Sequence, residues 1–265
     1  MIRIRFTLLI LLFASSILAQ DFEVSPVLMN FNADPGEIQT KQINLINHSS
    51  KPQKYTLKIS DYVLDNEGNK KSVPAGSSKR SCADWITLNP SFVELNPNQS
   101  TTIEALMTVP KSGFSSRWCM IFVEVSKEQS TFEADKSLAT GVVLVPRIVI
   151  LVKQSPKSNN NYKATITGLK ETTKPGDKQR SFDVLITNTG DNVIDANVSL
   201  ALADMQTAKE QKFNPVKVTV YPDGMRTVKL QLPVDLSKGK YALAAILDYG
   251  HRQPLGGTQM MLEVK

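Results

Sequence analysis

Ile43-Asn44-Leu45-Ile46-Asn47-His48-Ser49-Ser50 is an apolar stretch closed by an asparagine and a polar turn. Ile43, Leu45 and Asn47 alternate with Gln42, Asn44 and Ile46, the period of two that marks a half-buried strand. The same arrangement returns as Val184-Leu185-Ile186-Thr187-Asn188-Thr189-Gly190-Asp191. Other segments recur in the same order. Leu95-Asn96-Pro97-Asn98-Gln99-Ser100-Thr101 is matched by Val220-Tyr221-Pro222-Asp223-Gly224 and the residues to Thr227, and Met107-Thr108-Val109-Pro110 by Leu230-Gln231-Leu232-Pro233. Two copies in a fixed order predict two domains rather than one large sheet. The offset falls from 141 (Asn188 against Asn47) to 125 (Pro222 against Pro97), so the first copy carries 16 extra residues, placed between Asp61 and Arg80.

Elsewhere the pattern is also one of short strands. Phe22, Val24 and the Val27-Leu28 pair read as a first strand, and Tyr55, Leu57 and Ile59 as another. The best helix candidate, Ala201 to Lys212, is short and stops before Asn214-Pro215. Many short strands separated by Pro, Gly, Asn and Ser predict an all-β chain of two immunoglobulin-like β-sandwich domains in tandem. The polar stretch ending at Asn159-Asn160-Asn161 holds no apolar residue and divides them. The expected plan is therefore a signal peptide over 1–19, an N-terminal domain over 20–153, a linker over 154–161 and a C-terminal domain over 162–265.

The signal peptide is read from Arg3 and Arg5, the apolar run Phe6–Ala14, and the small residues Ser15, Ser16 and Ala19. An N-terminal membrane anchor is the alternative, but Phe6 to Ala19 is short for a bilayer span. Export to the periplasm, with the cell surface as a second location, changes how Cys82 and Cys119 are read. They are the only two cysteines of 265 residues, and in an oxidising compartment an even pair suggests one disulfide. Two buried free thiols are the other reading.

Composition excludes more than it names. The 41% hydrophobic and 21% charged residues are ordinary for a globular chain, with a net charge of +6. Residues 20–155 hold 14 basic and 14 acidic side chains, and 156–265 hold 15 and 11, spread without a clustered stripe, so nucleic-acid binding is not expected. Two histidines, His48 and His251, both lie in turns, and no C-x-x-C, G-x-S-x-G or phosphate-loop motif is present. No metal site, cofactor or enzymatic activity is expected. Asp65-Asn66-Glu67-Gly68-Asn69 has calcium-loop residue types but neither the spacing nor the closing Glu, and reads as a hairpin turn.

The segment Gly141-Val142-Val143-Leu144-Val145-Pro146-Arg147-Ile148-Val149-Ile150-Leu151-Val152 is apolar on both faces except for Arg147. A central strand buried on both sides gives such a run. Pro146 argues for an edge or a bulge instead, because it lacks the N–H that a central strand donates. An apolar edge is a template for pairing with another chain. At twelve residues with Arg and Pro, it is no membrane span.

The order of these features resembles the periplasmic pilus-assembly chaperones of the PapD-like superfamily. The resemblance is carried by Phe22-Glu23-Val24-Ser25-Pro26, Asn44-Leu45-Ile46-Asn47-His48-Ser49, Trp85-Ile86-Thr87-Leu88-Asn89-Pro90 with Phe92-Val93-Glu94-Leu95, and Arg147-Ile148-Val149-Ile150-Leu151. It covers the first domain best. It implies that the last strand of the first domain lends apolar side chains to an incomplete pilus subunit, while basic residues in the interdomain cleft hold the subunit's C-terminal carboxylate. Here Val149 stands where the family's strand usually carries Lys, and Leu28, Met29 and Asn30 give the first strand no basic anchor. Arg147 lies on the same strand face as Val149 and is the substitute. The sequence thus predicts a chaperone-like or assembly protein that binds partner polypeptides by β-strand addition along 141–152, through Val143, Val145, Arg147 and Val149. Its partner is an exported subunit or a surface protein. The alternative is a surface-associated scaffold or adhesion protein that binds proteins or glycans through loops, with the inserted Asp61–Arg80 segment foremost.

Overall fold

The computed structural model describes residues 21–126, 145–233 and 235–264. The expected signal peptide and Val143 lie outside them. Apart from one 3-10 turn at Ala83–Trp85, the regular structure is all β. No helix of the described residues is long and apolar enough to cross a membrane.

Among the described residues the first domain holds ten strands. They are β1 (Phe22–Ser25), β2 (Leu28–Phe31), β3 (Ile38–Asn47), β4 (Gln53–Leu64), β5 (Lys70–Val73), β6 (Ile86–Asn89), β7 (Phe92–Leu95), β8 (Ser100–Thr108), β9 (Arg117–Val125) and β10 (Arg147–Gln154). One sheet has the order β1-β3-β8-β6 and the other β2-β10-β9-β4, with β5 and β7 both paired to β4. Alternation explains most of them: Ile103, Ala105 and Met107 of β8 point inward between exposed or half-buried neighbours. By contrast, β9 lies between β10 and β4 and is buried from Trp118 through Val123. Phe22, Phe31, Ile43, Leu45, Tyr55, Ile121 and Ile150 close the core between the sheets.

The second domain holds β11 (Ala164–Glu171), β12 (Gln179–Asn188), β13 (Ile194–Asp204), β14 (Glu210–Lys212), β15 (Val216–Val220), β16 (Met225–Pro233), β17 (Gly239–Asp248) and β18 (Gly256–Val264). Its sheets run β11-β12-β16 and β14-β13-β17-β18, with β15 on β13, around a separate core of Phe182, Ile186, Leu200, Leu230, Leu243 and Leu247.

The repeated asparagine is the corner of each sandwich. Asn47 Nδ2 donates to Leu95 O (3.0 Å) and Asn96 O (3.2 Å), and its Oδ1 accepts from Ser49 N at 3.0 Å. Asn188 Nδ2 donates to Val220 O (2.9 Å) and Asn192 O (2.8 Å), and its Oδ1 accepts from Gly190 N at 3.0 Å. Each corner receives a left-handed residue, Asn98 (φ 59) or Asp223 (φ 60), whose N–H binds the asparagine's own carbonyl. Asn and Asp tolerate that conformation better than most side chains.

Two local expectations change. The segment from Phe22 to Leu28 is not one strand: β1 pairs β3 in one sheet and β2 pairs β10 in the other, with the change at Ser25-Pro26, where proline has no N–H to continue a ladder. The Ala201–Lys212 stretch forms the end of β13, a turn and β14, with Ala201 opposite Lys212. Asp204 Oδ1 accepts from Gln206 N (2.7 Å) and Thr207 N (3.1 Å), a local bonding pattern that competes with helix.

Candidate functional site: an open half-edge beside the interdomain cleft

β10 has two neighbours of unequal length. β9 runs antiparallel along all of it, from Arg147 opposite Glu124 to Gln154 opposite Arg117. β2 runs parallel along the second half alone, from Leu151 beside Leu28 to Gln154 beside Phe31. Leu151 N donates to Val27 O at 2.9 Å, and Ser155 N donates to Phe31 O at 3.0 Å. Backbone groups alternate sides along a strand, so odd-numbered residues address β2 and even-numbered ones β9. The N–H and C=O of Arg147 and Val149 therefore face a slot that no strand fills among the described residues. The slot is four residues long, about 13 Å at 3.3 Å per residue. It closes where β2 begins. Val27 and Leu28 stand at that end, 56% and 48% exposed, and Val145 stands beyond the other, 44% exposed.

Side chains divide the same strand into two faces. Ile148, Ile150, Val152 and Gln154 turn to the domain core. Arg147, Val149, Leu151 and Lys153 share the opposite face, so the structure does place Arg147 and Val149 together. Val149 and Leu151 border a second apolar cluster of Tyr62, Trp118, Met120, Phe122 and Tyr221, which crosses between the domains.

Arg147 is engaged within its own domain. Its guanidinium lies 4.7 Å from the Phe122 ring centre and 3.3 Å from Glu124 Oε1, and Lys58 also meets Glu124, at 3.3 Å. Lys153, six residues further along the same face, is different. It lines a cleft of about 230 Å³ with Asn30, Asn32 and Ser155 of its own domain and Val193 and Asp195 of the second. Among the described residues no carboxylate pairs with it. In the sequence Lys153 opens the polar boundary stretch, one residue past the apolar run 141–152. Only the position of the second domain shows that it faces a cleft.

The residues expected to form a turn do so: Asp65 Oδ1 accepts from Glu67 N (3.0 Å) and Asn69 N (2.8 Å) at the tip of the β4–β5 hairpin. No group of three or more metal-ligating side chains occurs among the described residues. His48 meets Glu23 at 3.1 Å on the surface, and His251 stacks on Tyr162 with ring centres 3.6 Å apart. Cys82 and Cys119 stand as two buried thiols, Sγ to Sγ 3.5 Å.

No family model and no curated protein matches the chain. Solved structures similar to it include a chain of the chaperone–tip adhesin complex of CFA/I fimbriae biogenesis, at 12% identity and a TM-score of 0.48, covering 91% of this chain and 98% of that one. The class 5 fimbriae chaperone CfaA is similar at 13% identity and a TM-score of 0.46, over 92% and 99%. A chain of the CsuC–CsuE chaperone–tip adhesion subunit pre-assembly complex of Acinetobacter baumannii is similar at 11% and 0.45, over 89% and 97%. These neighbours belong to chaperone systems of fimbriae and pili.

Proposed function

We propose that the chain is an exported, periplasmic chaperone-like assembly protein that captures a partner polypeptide by adding a strand to the open half of β10. The observation that carries this reading is the unequal pairing of β10: eight residues against β9 but four against β2. An incoming strand completes the ladder at Arg147 and Val149, and Val27, Leu28 and Val145 offer it apolar contact. A strand that runs parallel to β10, as β2 does, ends where β2 begins, and its C-terminal carboxylate then lies beside the cleft of Lys153. Lys153, rather than the occupied Arg147, supplies the anchoring cation that the PapD-like resemblance implies. The loop-binding alternative keeps part of its foremost surface: Tyr62, Asn66, Gly68 and Arg80 of the Asp61–Arg80 segment meet the second domain, while the stretch from Pro74 to Ser77 is exposed.

The test places a photo-crosslinking residue at Val149, at Val145 or at Ser72 of the hairpin in secreting cells that co-express an exported subunit. Adducts from Val149 and Val145 and none from Ser72 are expected. Adducts from Ser72 alone would overturn the reading. In the same cells Lys153→Met is expected to weaken capture more than Arg147→Gln, and the reverse order would return the anchor to Arg147.

A further inference from the structure

The 16 extra residues of the first domain reach across to the second. Tyr62 of β4 places its hydroxyl 2.9 Å from that of Tyr221. At the hairpin tip, Asn66 O accepts from Thr227 N at 2.9 Å. Gly68, at φ +79, leaves room for the Arg226 guanidinium against its backbone. Arg80 donates to Asp223 Oδ2 through Nε (3.1 Å) and Nη2 (2.8 Å), and reaches Asp191 at 3.7 Å. Trp118 of β9 sets its ring edge-on to Tyr221, centres 4.8 Å apart. Both Tyr221 and Asp223 belong to the corner that Asn188 holds, so the brace grips a hydrogen-bonded corner of the second domain.

The two thiols sit directly behind this brace. Trp118 N donates to Arg80 O at 2.9 Å, which aligns the two segments; Cys119 follows Trp118, and Cys82 lies two residues after Arg80. The stretch from Pro74 to Lys79 is almost wholly exposed and packs little apolar surface. It is held chiefly by Asp61, a buried carboxylate that accepts from Ser78 N (2.9 Å) and Ser81 Oγ (2.6 Å).

We propose that Cys82 and Cys119 are the redox site of an interdomain brace: once joined as a disulfide, they fix Arg80 and Trp118 against the second domain. In the reaction a thiolate of one cysteine attacks an incoming disulfide, such as oxidised glutathione, and the second thiolate resolves the mixed disulfide. Two protons and two electrons leave the pair, and the incoming disulfide departs as two thiols. Both sulfurs are buried, and the hydrogen bond that Cys119 shares with Cys82, together with burial, pushes the Cys119 thiol up, so the folded pair is a poor nucleophile. The bond therefore forms while the first domain is open enough to expose both sulfurs, which lie in its own core. This proposal is independent of strand addition to β10.

The test uses the whole mature chain, refolded with oxidised glutathione or with dithiothreitol, and follows amide exchange at Thr227, whose only backbone partner in the brace is Asn66. Alkylation of the denatured, oxidised protein should find no thiol. Reduction should speed Thr227 exchange by about tenfold while Leu185 and Ile186, in the middle of β12, are unchanged. Arg80→Ala should speed Thr227 in both redox states. Two alkylated thiols after oxidative refolding, or equal Thr227 exchange in the two states, would overturn the redox site. Unchanged Thr227 exchange in Arg80→Ala would overturn the brace.

Discussion

Two proline substitutions on one face of β10 separate an open edge from a sealed one. Val149 and Leu151 are both half-buried, both face the interdomain side, and are two residues apart. They differ in the N–H that proline removes: that of Leu151 binds Val27 O at 2.9 Å, and that of Val149 faces the slot. Val149→Pro should lose no hydrogen bond, and because its carbonyl also faces the slot, the β9 ladder through Ile148 and Ile150 is kept. Its cost is a trimmed apolar contact, about 1 kcal/mol or less. Leu151→Pro loses the bond, strands the Val27 carbonyl and pushes a ring against it, a cost of about 3 kcal/mol or more. Trp85 and Trp118 both lie in the first domain, so urea unfolding followed by tryptophan emission reads the right unit. A difference of about 2 kcal/mol should separate the two midpoints by about 1 M urea. Equal losses of stability would mean that the Val149 N–H is already paired, that the edge is sealed within its own domain, and that strand addition there is wrong.

The corner asparagines should behave as a pair: Asn47→Ala and Asn188→Ala each strand buried carbonyls and should cost about 2–4 kcal/mol, measured by denaturant unfolding, with a loss below about 1 kcal/mol counting against their role. Arg80, and beyond it Lys79, hold the Asp223 carboxyl below its usual range. A depressed folded pKa gives stability that is present above the unfolded value, about 4, and is lost as pH falls through the folded one. In a Trp85→Phe background, Trp118 emission should therefore shift on acidification, and Asp223→Asn should show the shift at neutral pH. At the alkaline end, burial pushes Tyr62 and Tyr221 up, and Tyr55 to about 12. Raised folded values mean that stability falls as pH rises past the unfolded value, about 10, and absorbance titration should find these three of the six tyrosines un-ionised until the chain unfolds.

What could be read in the sequence was local. An asparagine that must bond the chain on both sides of a corner leaves the same pattern at Asn47 and Asn188, and the 16-residue excess marks a real hairpin. The surface that hairpin meets was not legible, because Tyr62 and Tyr221 are 159 positions apart and Arg80 and Asp223 are 143 apart. Pro146 and the apolar run point to an edge strand, but how far β2 covers β10 depends on the change of sheet at Pro26. Likewise Arg147, alone among apolar neighbours, looked free. Its cross-strand partner Glu124 is 23 positions away and neutralises it, while among the described residues no carboxylate pairs with Lys153.

The free edges of the molecule are not alike, and the contrast argues that the one at β10 is kept open. β16 is paired on one side by β12 and lacks a strand on the other among the described residues. After Met225, its next outward N–H, that of Thr227, is covered by Asn66 O, and by alternation the outward groups beyond it belong to Lys229 and Gln231, with Pro233 after them. A charge, a proline and a covering loop are the usual means of blunting an edge. At β10 the nearest charge is drawn off the edge onto the sheet face, where Arg147 lies over Phe122 and is held by Glu124. Pro146 stands before the strand rather than within it. What remains at the edge is the backbone of Arg147 and Val149 between exposed valines and a leucine. Among the described residues one edge is blunted by three devices and the other by none of them, and that contrast supports the proposed addition of a strand at β10.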